Sequence, residues 1–304
     1  MADAPLRTTP PRPVDVEALF PEVVPYRREA VRLHPRRGEP GVLDSSVGGP
    51  LLWPASEAWP HCEDEHVGTE YSPVPRPGPV PLVPVLQLYA PDVPELPFPQ
   101  GTDVLQMLWC PFYHAHDFGW SPRPELYWRD SGADEDVLPA PPPPPGAREN
   151  YLPDPCVLHP ERVTEYAQWD LPEELHDALD ARFEALEAST GWSYWYHLSV
   201  AEGIKVGGWP SWCQEPRWPD CPDCGRRTEH LLTVSSAEFD GASWRSWLPL
   251  EERPAEGTVR DLPYEDRRAL QRAPGLMIGD MGGLYVFDCR HCPDRPFSYA
   301  SDGS

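Results

Sequence analysis

A chain of 304 residues is long enough for two domains, and its 44 prolines disfavour long helices and long central strands. Its formal net charge of −24 repels phosphate, which argues against a general nucleic-acid binder and favours either a basic partner or simple solubility. No apolar run reaches the roughly 18 residues that span a bilayer, and residues 1–14 lack the apolar segment of a signal peptide. We therefore predict a cytoplasmic protein, in which paired cysteines bind metal more often than they oxidise.

The first half of the chain contains short predicted elements separated by proline-rich loops. Residues 1–13 are predicted to be disordered, and residues 15–20 to form one helical turn. Alternating apolar residues predict strands at 29–33, 83–89 and 104–109. A basic cluster lies around the first strand and comprises Arg27, Arg28, Arg32, Arg36 and Arg37. One interpretation is that it docks an acidic partner or RNA. The other is that it pairs with the protein's own carboxylates.

The second half contains the clearest helix of the sequence. Asp170 is predicted to cap it, and Pro172 falls in its first turn. A stripe of apolar residues at helical spacing predicts one buried face, formed by Leu175, Leu179, Phe183 and Leu186. Residues 192–200 are predicted to form an aromatic strand, and residues 262–272 a shorter helix capped by Asp261.

The two halves share a motif at one constant offset of 159 residues. Seven identities fall in this window, including two tryptophans and the pairs Gly48/Gly207 and Cys62/Cys221. Because so many matches at one offset are improbable by chance, we predict an internal duplication. The proline-rich and acidic segment 131–150 would link an N-terminal repeat (14–130) to a C-terminal repeat (151–304). The predicted fold class is α+β and β-rich, with two pseudo-symmetric lobes of short antiparallel strands and few helices.

Two Cys-x-x-Cys pairs predict a zinc site in the C-terminal lobe. In the first pair, Cys221 and Cys224 are followed by Gly225, which permits the tight turn of a zinc knuckle. The second pair, Cys289 and Cys292, completes a closed tetrahedral set that leaves no position for water, so the zinc would be structural. A redox pair is the alternative, but a strand-like segment follows the first pair instead of the helix that lowers a redox cysteine's pKa.

The N-terminal lobe retains only one cysteine of each pair. Glu65 and Tyr113 occupy the positions of the second cysteines, but a histidine lies four residues after each retained cysteine. A candidate second metal site therefore has two cysteine and two histidine ligands, Cys62, His66, Cys110 and His114. The alternative is that this site was lost and the histidines are ordinary loop residues. His61 and His116 are weaker candidate ligands, and Cys156 and Cys213 are predicted to be unpaired core cysteines.

Three segments resemble those of a known bacterial family. Residues 46–50, 205–214 and 282–287 carry the doubled Gly-Gly motif and resemble the YwqG-like family, a bacterial domain of unknown function. The paired cysteines and residues 86–91 are also similar to the eukaryotic programmed cell death protein 2 family. The resemblance implies a duplicated β-rich fold, and the eukaryotic relatives imply a chaperone role for a newly made ribosomal protein. It supplies no catalytic residues.

The sequence contains none of the common catalytic or nucleotide-binding motifs. We therefore expect a non-enzymatic, zinc-stabilised protein-binding module, which holds a basic protein, such as a ribosomal protein, between its lobes. An immunity or antitoxin protein of a bacterial toxin system is the alternative, and an RNA-processing hydrolase is a third hypothesis that requires a polar pocket with perturbed carboxylates. The 13 tryptophans either line a groove or, as we expect for most of them, lie in the core.

Overall fold

The computed structural model describes residues 7–64, 66, 78–116, 119–132 and 136–303. These residues form a mixed α+β fold that is rich in antiparallel strands and has few helices, which confirms the predicted class. The strands are β1 (Arg27–Arg32), β2 (Arg36–Arg37), β3 (Ser46–Val47), β4 (His61–Cys62), β5 (Val80–Pro81), β6 (Val83–Tyr89), β7 (Val104–His116), β8 (Gly119–Arg129), β9 (Cys156–Val157), β10 (Glu161–Tyr166), β11 (Lys205–Gly207), β12 (Glu229–Ser235), β13 (Gly283–Asp288) and β14 (Phe297–Asp302).

The helices are short, as the proline content predicts, with a single exception. The α-helices are α1 (Val16–Leu19), α2 (Glu173–Thr190), α3 (Trp244–Trp247) and α4 (Tyr264–Gln271). Short 3₁₀ turns lie at Pro21–Tyr26, Glu149–Tyr151, Leu250–Glu252 and Val259–Asp261, and a π-helix at Tyr194–Leu198. No helix in the described ranges has both the length and the apolar character that crossing a bilayer requires.

Two six-stranded antiparallel sheets contain most of the strands. The first sheet has the order β2-β9-β3-β6-β7-β8, and the second has the order β10-β1-β11-β12-β13-β14. The small pair β4-β5 lies outside both sheets. In each sheet the last four strands follow the same path. The pairing of β6 with β7 has a register shift between Pro84 and Leu86, and the pairing of β12 with β13 has one between His230 and Leu232.

Neighbouring segments of the chain enter different sheets. Strand β1 lies between β10 and β11 in the second sheet, whereas β2, four residues later, pairs with β9 in the first sheet. Strands β9 and β10 divide between the sheets in the same way. The sheets therefore do not follow the predicted boundary at 131–150, because pairing partners far apart in sequence decide which sheet a strand joins.

Buried apolar residues connect the sheets, and a buried ion pair lies within the second sheet. One core cluster contains side chains of both, among them Val85 and Trp109 of the first sheet and Leu232 of the second. In the second sheet the chain's only lysine, Lys205, is fully buried, and its Nζ donates to Glu165 Oε1 at 2.5 Å. A buried charge requires such a partner, since an unpaired ammonium inside a protein costs several kcal/mol.

The basic cluster around β1 pairs internally, in agreement with one of its two interpretations. Arg27 Nη2 lies 2.8 Å from Glu29 Oε1. Arg36 forms an ion pair with Glu252, and Arg37 forms one with Asp154. Arg32 is buried and donates to the carbonyl oxygen of Trp247 at 2.9 Å. Arg28 instead stacks on Trp209, with 3.4 Å between its guanidinium carbon and the ring centroid.

Several predicted elements agree with the structure. The strand predicted at 83–89 is β6, and the helical turn after Asp15 is α1, whose Ala18 amide donates to the Asp15 side chain at 3.1 Å. Strand β7 begins at Val104 as predicted but continues beyond residue 109 to His116. The apolar stripe of α2 is buried at Leu179, Phe183 and Leu186, and Leu175 is partly buried.

The predicted caps of the two longer helices are wrong. Helix α2 begins after Pro172 without a side-chain cap, because the Asp170 carboxylate instead accepts the indole N–H groups of Trp212 and Trp218 at 3.1 and 2.5 Å. Helix α4 begins after Pro263, while Asp261 accepts the backbone amide of Thr258 in the preceding turn. Asp170 thus bonds residues more than 40 positions away, whereas Asp261 closes a local capping box with Thr258.

Two other local predictions are also wrong. The segment 192–200 contains a π-helix at Tyr194–Leu198 and no strand, and Tyr194 stacks on Phe183 of α2 with 4.0 Å between ring centroids. Residues 7–13 are ordered: Thr9 donates to Glu161 at 2.8 Å, and Arg12 donates to the carbonyl oxygen of Leu198 at 3.0 Å. The remainder of the segment predicted to be disordered, residues 1–6, lies outside the described residues.

Candidate metal centres and an acidic cavity

The strand order explains why two remote cysteine pairs meet. Strands β12 and β13 are antiparallel neighbours that pair Glu229 with Asp288, so the start of one lies beside the end of the other. The Cys221 pair precedes β12 and the Cys289 pair follows β13. Both pairs therefore lie at the same end of the second sheet.

Each pair lies in a tight turn. The Cys221 amide donates to the carbonyl oxygen of Arg226 at 2.7 Å, and the Gly225 amide donates to that of Cys221 at 2.9 Å. Gly225 has a φ of 67°, a left-handed conformation that glycine adopts readily. In the second turn, the Cys289 amide donates to the carbonyl oxygen of Pro296 at 3.0 Å. The turn at Cys221–Gly225 therefore fits the predicted zinc knuckle, and Cys289 and Cys292 lie in a second turn that closes on Pro296.

The four sulfurs have the spacing of a tetrahedral metal site. The Sγ atoms of Cys221 and Cys292 are 3.8 Å apart, and those of Cys224 and Cys289 are 3.7 Å apart. A tetrahedron with metal–sulfur bonds of about 2.3 Å requires sulfur–sulfur distances of about 3.8 Å. The structure thus brings together all four predicted ligands of this centre, which we call the four-cysteine centre.

Backbone amides help to ionise this cluster. Burial opposes ionisation of Cys289, but the backbone amides of His291 and Cys292 and the neighbouring thiols lower its pKa to about 7. The thiolate is the form that binds metal. Amides directed at sulfur therefore favour the charge state that a metal requires.

The second predicted ligand set also comes together, between strand β7 of the first sheet and the small pair β4-β5. Cys62 belongs to β4, and Cys110 and His114 belong to β7, which changes register between them. Cys62 Sγ is 3.8 Å from His114 Nε2, and His66 Nε2 is 3.1 Å from Cys110 Sγ. With Cys62, His66, Cys110 and His114 within 4.8 Å of one another, we call this set the cysteine–histidine centre.

The cysteine–histidine centre is the more enclosed of the two. Cys62 and Cys110 belong to a buried cluster with Trp53, Trp59 and Phe112, whereas Cys224 of the four-cysteine centre is exposed and Cys292 is half-buried. The hydrogen bond with Cys110 lowers the pKa of Cys62 to about 4, with a further contribution from His114 and against the effect of burial. The same hydrogen bond raises the pKa of Cys110.

The other candidates have different environments. His61 Nδ1 lies 2.8 Å from the carbonyl oxygen of Trp59 and outside the cluster. Glu65 and the side chain of His116 lie outside the described residues. Tyr113 packs against Arg148, whose guanidinium carbon is 3.9 Å from its ring centroid.

Of the two cysteines assigned to the core, one is correctly placed. Cys156 is buried in the central cluster. Cys213 is exposed, which corrects the prediction. It lies in the loop that follows β11, and its backbone amide donates to the Asp302 carboxylate at 2.7 Å.

A cavity of about 690 Å³ was not predicted from the sequence. It lies between the π-helix and the second sheet, and Trp195, Trp212 and Tyr285 line it. Trp169 and Tyr196 also line it and remain 40% and 50% exposed, so large aromatic surfaces face solvent here. A cavity of this size can accommodate a small ligand or a few side chains of a peptide.

Acidic groups give this cavity its electrostatic character. Glu187, Glu202 and Asp240 line it, and none of its described lining residues is Arg, Lys or His. Burial, followed by the charge of Asp240, raises the pKa of Glu202 to about 8. The sequence signal that could have indicated the site is the aromatic run 192–196 between Glu187 and Glu202, which was interpreted as a core strand.

The described residues thus define a strand-rich α+β protein with two four-ligand centres that can hold metal ions and one acidic aromatic cavity. No protein-family model matches this chain, and no curated protein matches it significantly.

Proposed function

We propose that this chain is a zinc-stabilised, non-enzymatic protein-binding module of the YwqG-like family, which holds a basic client protein in the manner of a chaperone. Each metal centre has four side-chain ligands, and a closed four-ligand zinc site has no free position for a water nucleophile. Metal in such sites stabilises the fold. The ligand sets suit zinc, which prefers sulfur and imidazole in tetrahedral geometry.

The proposal includes an internal duplication. The seven identities at one offset are joined by a shared strand order, since β3-β6-β7-β8 and β11-β12-β13-β14 follow the same path in their sheets. Gly48 and Gly207, which match at that offset, have φ values of 65° and 66°. Both metal centres also lie at corresponding places, near the second long strand of the shared path.

The observation that carries the binding function is the acidic aromatic cavity. Three carboxylates line it without a basic residue among its described lining, in a chain with a net charge of −24. An RNA phosphate would meet repulsion there, so the cavity disfavours the hydrolase hypothesis despite its perturbed carboxylate. A basic protein, such as a ribosomal protein, would be attracted. A cytoplasmic location would keep the thiols reduced for metal.

Affinity purification of the zinc-loaded full chain from its native cells tests this function. We expect one basic protein to co-purify stoichiometrically at about 0.1 M salt and to dissociate near 1 M, because the screening length falls from about 10 to 3 Å. The absence of any stoichiometric protein at low salt would contradict the proposal. A co-purified neutral or acidic enzyme that the chain inhibits would favour the immunity hypothesis instead.

A further inference from the structure

We propose that the acidic aromatic cavity binds the guanidinium of an arginine side chain that a basic partner supplies. The inference rests on the proposed function and specifies the chemical group that the cavity recognises. It is suggested by an arrangement in the first sheet, where an arginine of the chain itself lies between aromatic rings and a carboxylate.

In the first sheet, Arg129 packs against Trp53 and lines a small pocket. Its guanidinium carbon lies 4.1 Å from the Trp53 ring centroid and 5.4 Å from that of Tyr127. Its two terminal nitrogens donate to the Glu57 carboxylate at 2.8 and 3.0 Å, and its Nε donates to Gln106 at 2.8 Å. Aromatic stacking combined with a bidentate carboxylate is a strong arrangement for binding guanidinium.

The second sheet has the same framework with a different residue at the critical position. Arg129 is the cross-strand partner of Val104 at the start of β7, and Asp302 is the partner of Gly283 at the start of β13. Because β7 and β13 occupy the same place in their sheets, Asp302 occupies the position of Arg129.

The surrounding residues of the second sheet correspond as well. Trp212, which matches Trp53 in the repeat, lines the acidic cavity. Tyr285 corresponds to Gln106. The side chain of Gln106 accepts a hydrogen bond from Arg129, whereas the hydroxyl of Tyr285 donates one to Asp302 Oδ1 at 2.7 Å. The second sheet therefore keeps the aromatic wall, and an acidic residue stands where the first sheet has its internal cation.

The acidic cavity offers both components of a guanidinium site. Trp169 and Trp195 provide aromatic surfaces, and Glu187 and Asp240 provide carboxylates beside the carboxyl group of Glu202. At about 690 Å³ it is larger than the 260 Å³ pocket that Arg129 lines in the first sheet. A side chain from another molecule can therefore enter it together with neighbouring residues.

Two backbone features also distinguish the cavity from an ordinary surface cleft. The π-helix that carries Trp195 and Tyr196 is a rare conformation that occurs frequently at functional sites. On the opposite wall, Met281 has a φ of 60°, a left-handed conformation that costs free energy for a residue with a Cβ. Such strain persists where the surrounding structure maintains it, and binding sites are where it concentrates.

The test measures peptide affinity with the zinc-loaded full chain. Fluorescence anisotropy would follow a labelled hexa-arginine peptide, with unlabelled hexa-arginine, hexa-lysine and hexa-citrulline as competitors. Citrulline has a similar shape to arginine but no charge, and lysine has the charge without the planar group. We expect arginine to compete best and citrulline to compete at least about ten-fold less well, because charged hydrogen bonds are lost.

Paired variants separate the cavity from the general charge of the protein. The double variant Glu187→Gln/Glu202→Gln removes two lining carboxylates, whereas Glu184→Gln/Glu174→Gln removes two exposed carboxylates of α2 that do not line the cavity. The first variant raises the net charge by no more than the second, because burial raises the pKa of Glu202 and keeps part of that group protonated near neutral pH. A larger effect of the first variant is therefore not an effect of net charge. We expect the first to raise the dissociation constant about ten-fold or more and the second to change it less than about two-fold.

Equal weakening by both double variants, or equal competition by arginine and citrulline, would overturn the assignment. The proposed function is tested separately by the native partner. If that basic partner still co-purifies fully with Glu187→Gln/Glu202→Gln, the cavity assignment fails and the holding function stands. If arginine peptides bind in the cavity while no basic protein co-purifies from cells, the proposed function fails and the cavity assignment stands.

Discussion

Replacing Cys221 by serine removes one of the four thiolates of the four-cysteine centre and should release its metal. A metal bound there would join Cys224 to Cys289 across 65 positions of the chain. By the entropy argument used for disulfides, a cross-link that closes a loop of that length stabilises the fold by about 4 kcal/mol. At roughly 2–4 °C per kcal/mol for a chain of this size, the melting temperature should fall by on the order of 10 °C.

The assay combines elemental analysis with thermal unfolding followed by circular dichroism. The unsubstituted chain should carry two metal ions, and Cys221→Ser should carry one. Cys213→Ser is the matched control, since it makes the same chemical change at an exposed cysteine outside both centres. It should keep both ions and melt within about 2 °C of the parent. The reasoning is refuted if Cys221→Ser keeps two ions or melts together with the control.

Three further predictions concern other parts of the fold. His114→Ala should cost the cysteine–histidine centre its metal and leave the ion of the four-cysteine centre in place, as elemental analysis would show. Burial lowers the pKa of His34 to about 4, so the unfolded imidazole binds a proton from about pH 6.5 downward while the folded one does not. The free energy of unfolding should therefore fall between pH 6.5 and pH 4, by up to about 3 kcal/mol from this group. Urea titrations at pH 7.0 and 4.5 should show a smaller fall for His34→Gln than for the unsubstituted chain. Gly48→Ala should lower the melting temperature by several degrees more than Gly101→Ala. Both glycines have positive φ, but only a Cβ at position 48 would meet a carbonyl oxygen, at 2.5 Å. Equal shifts in melting temperature would contradict this prediction.

Much of the local structure and the metal chemistry could be predicted from sequence. The ligands of both metal centres follow from cysteine and histidine spacing, because knuckle turns are local and their residues are few. Strand β6 and the buried face of α2 follow from hydrophobic periodicity, which reports the face that each element buries.

Tertiary structure alone decided the rest. The sequence could not show that β1 joins the second sheet and β2 the first, since that depends on partners more than a hundred residues away. It could not show that the Asp170 carboxylate accepts two indole N–H groups in place of capping α2. The acidic cavity likewise exists only where the π-helix, the loop at Met281 and the second sheet converge. Periodicity records what one element buries, whereas a cavity depends on how several elements fail to fill the space between them.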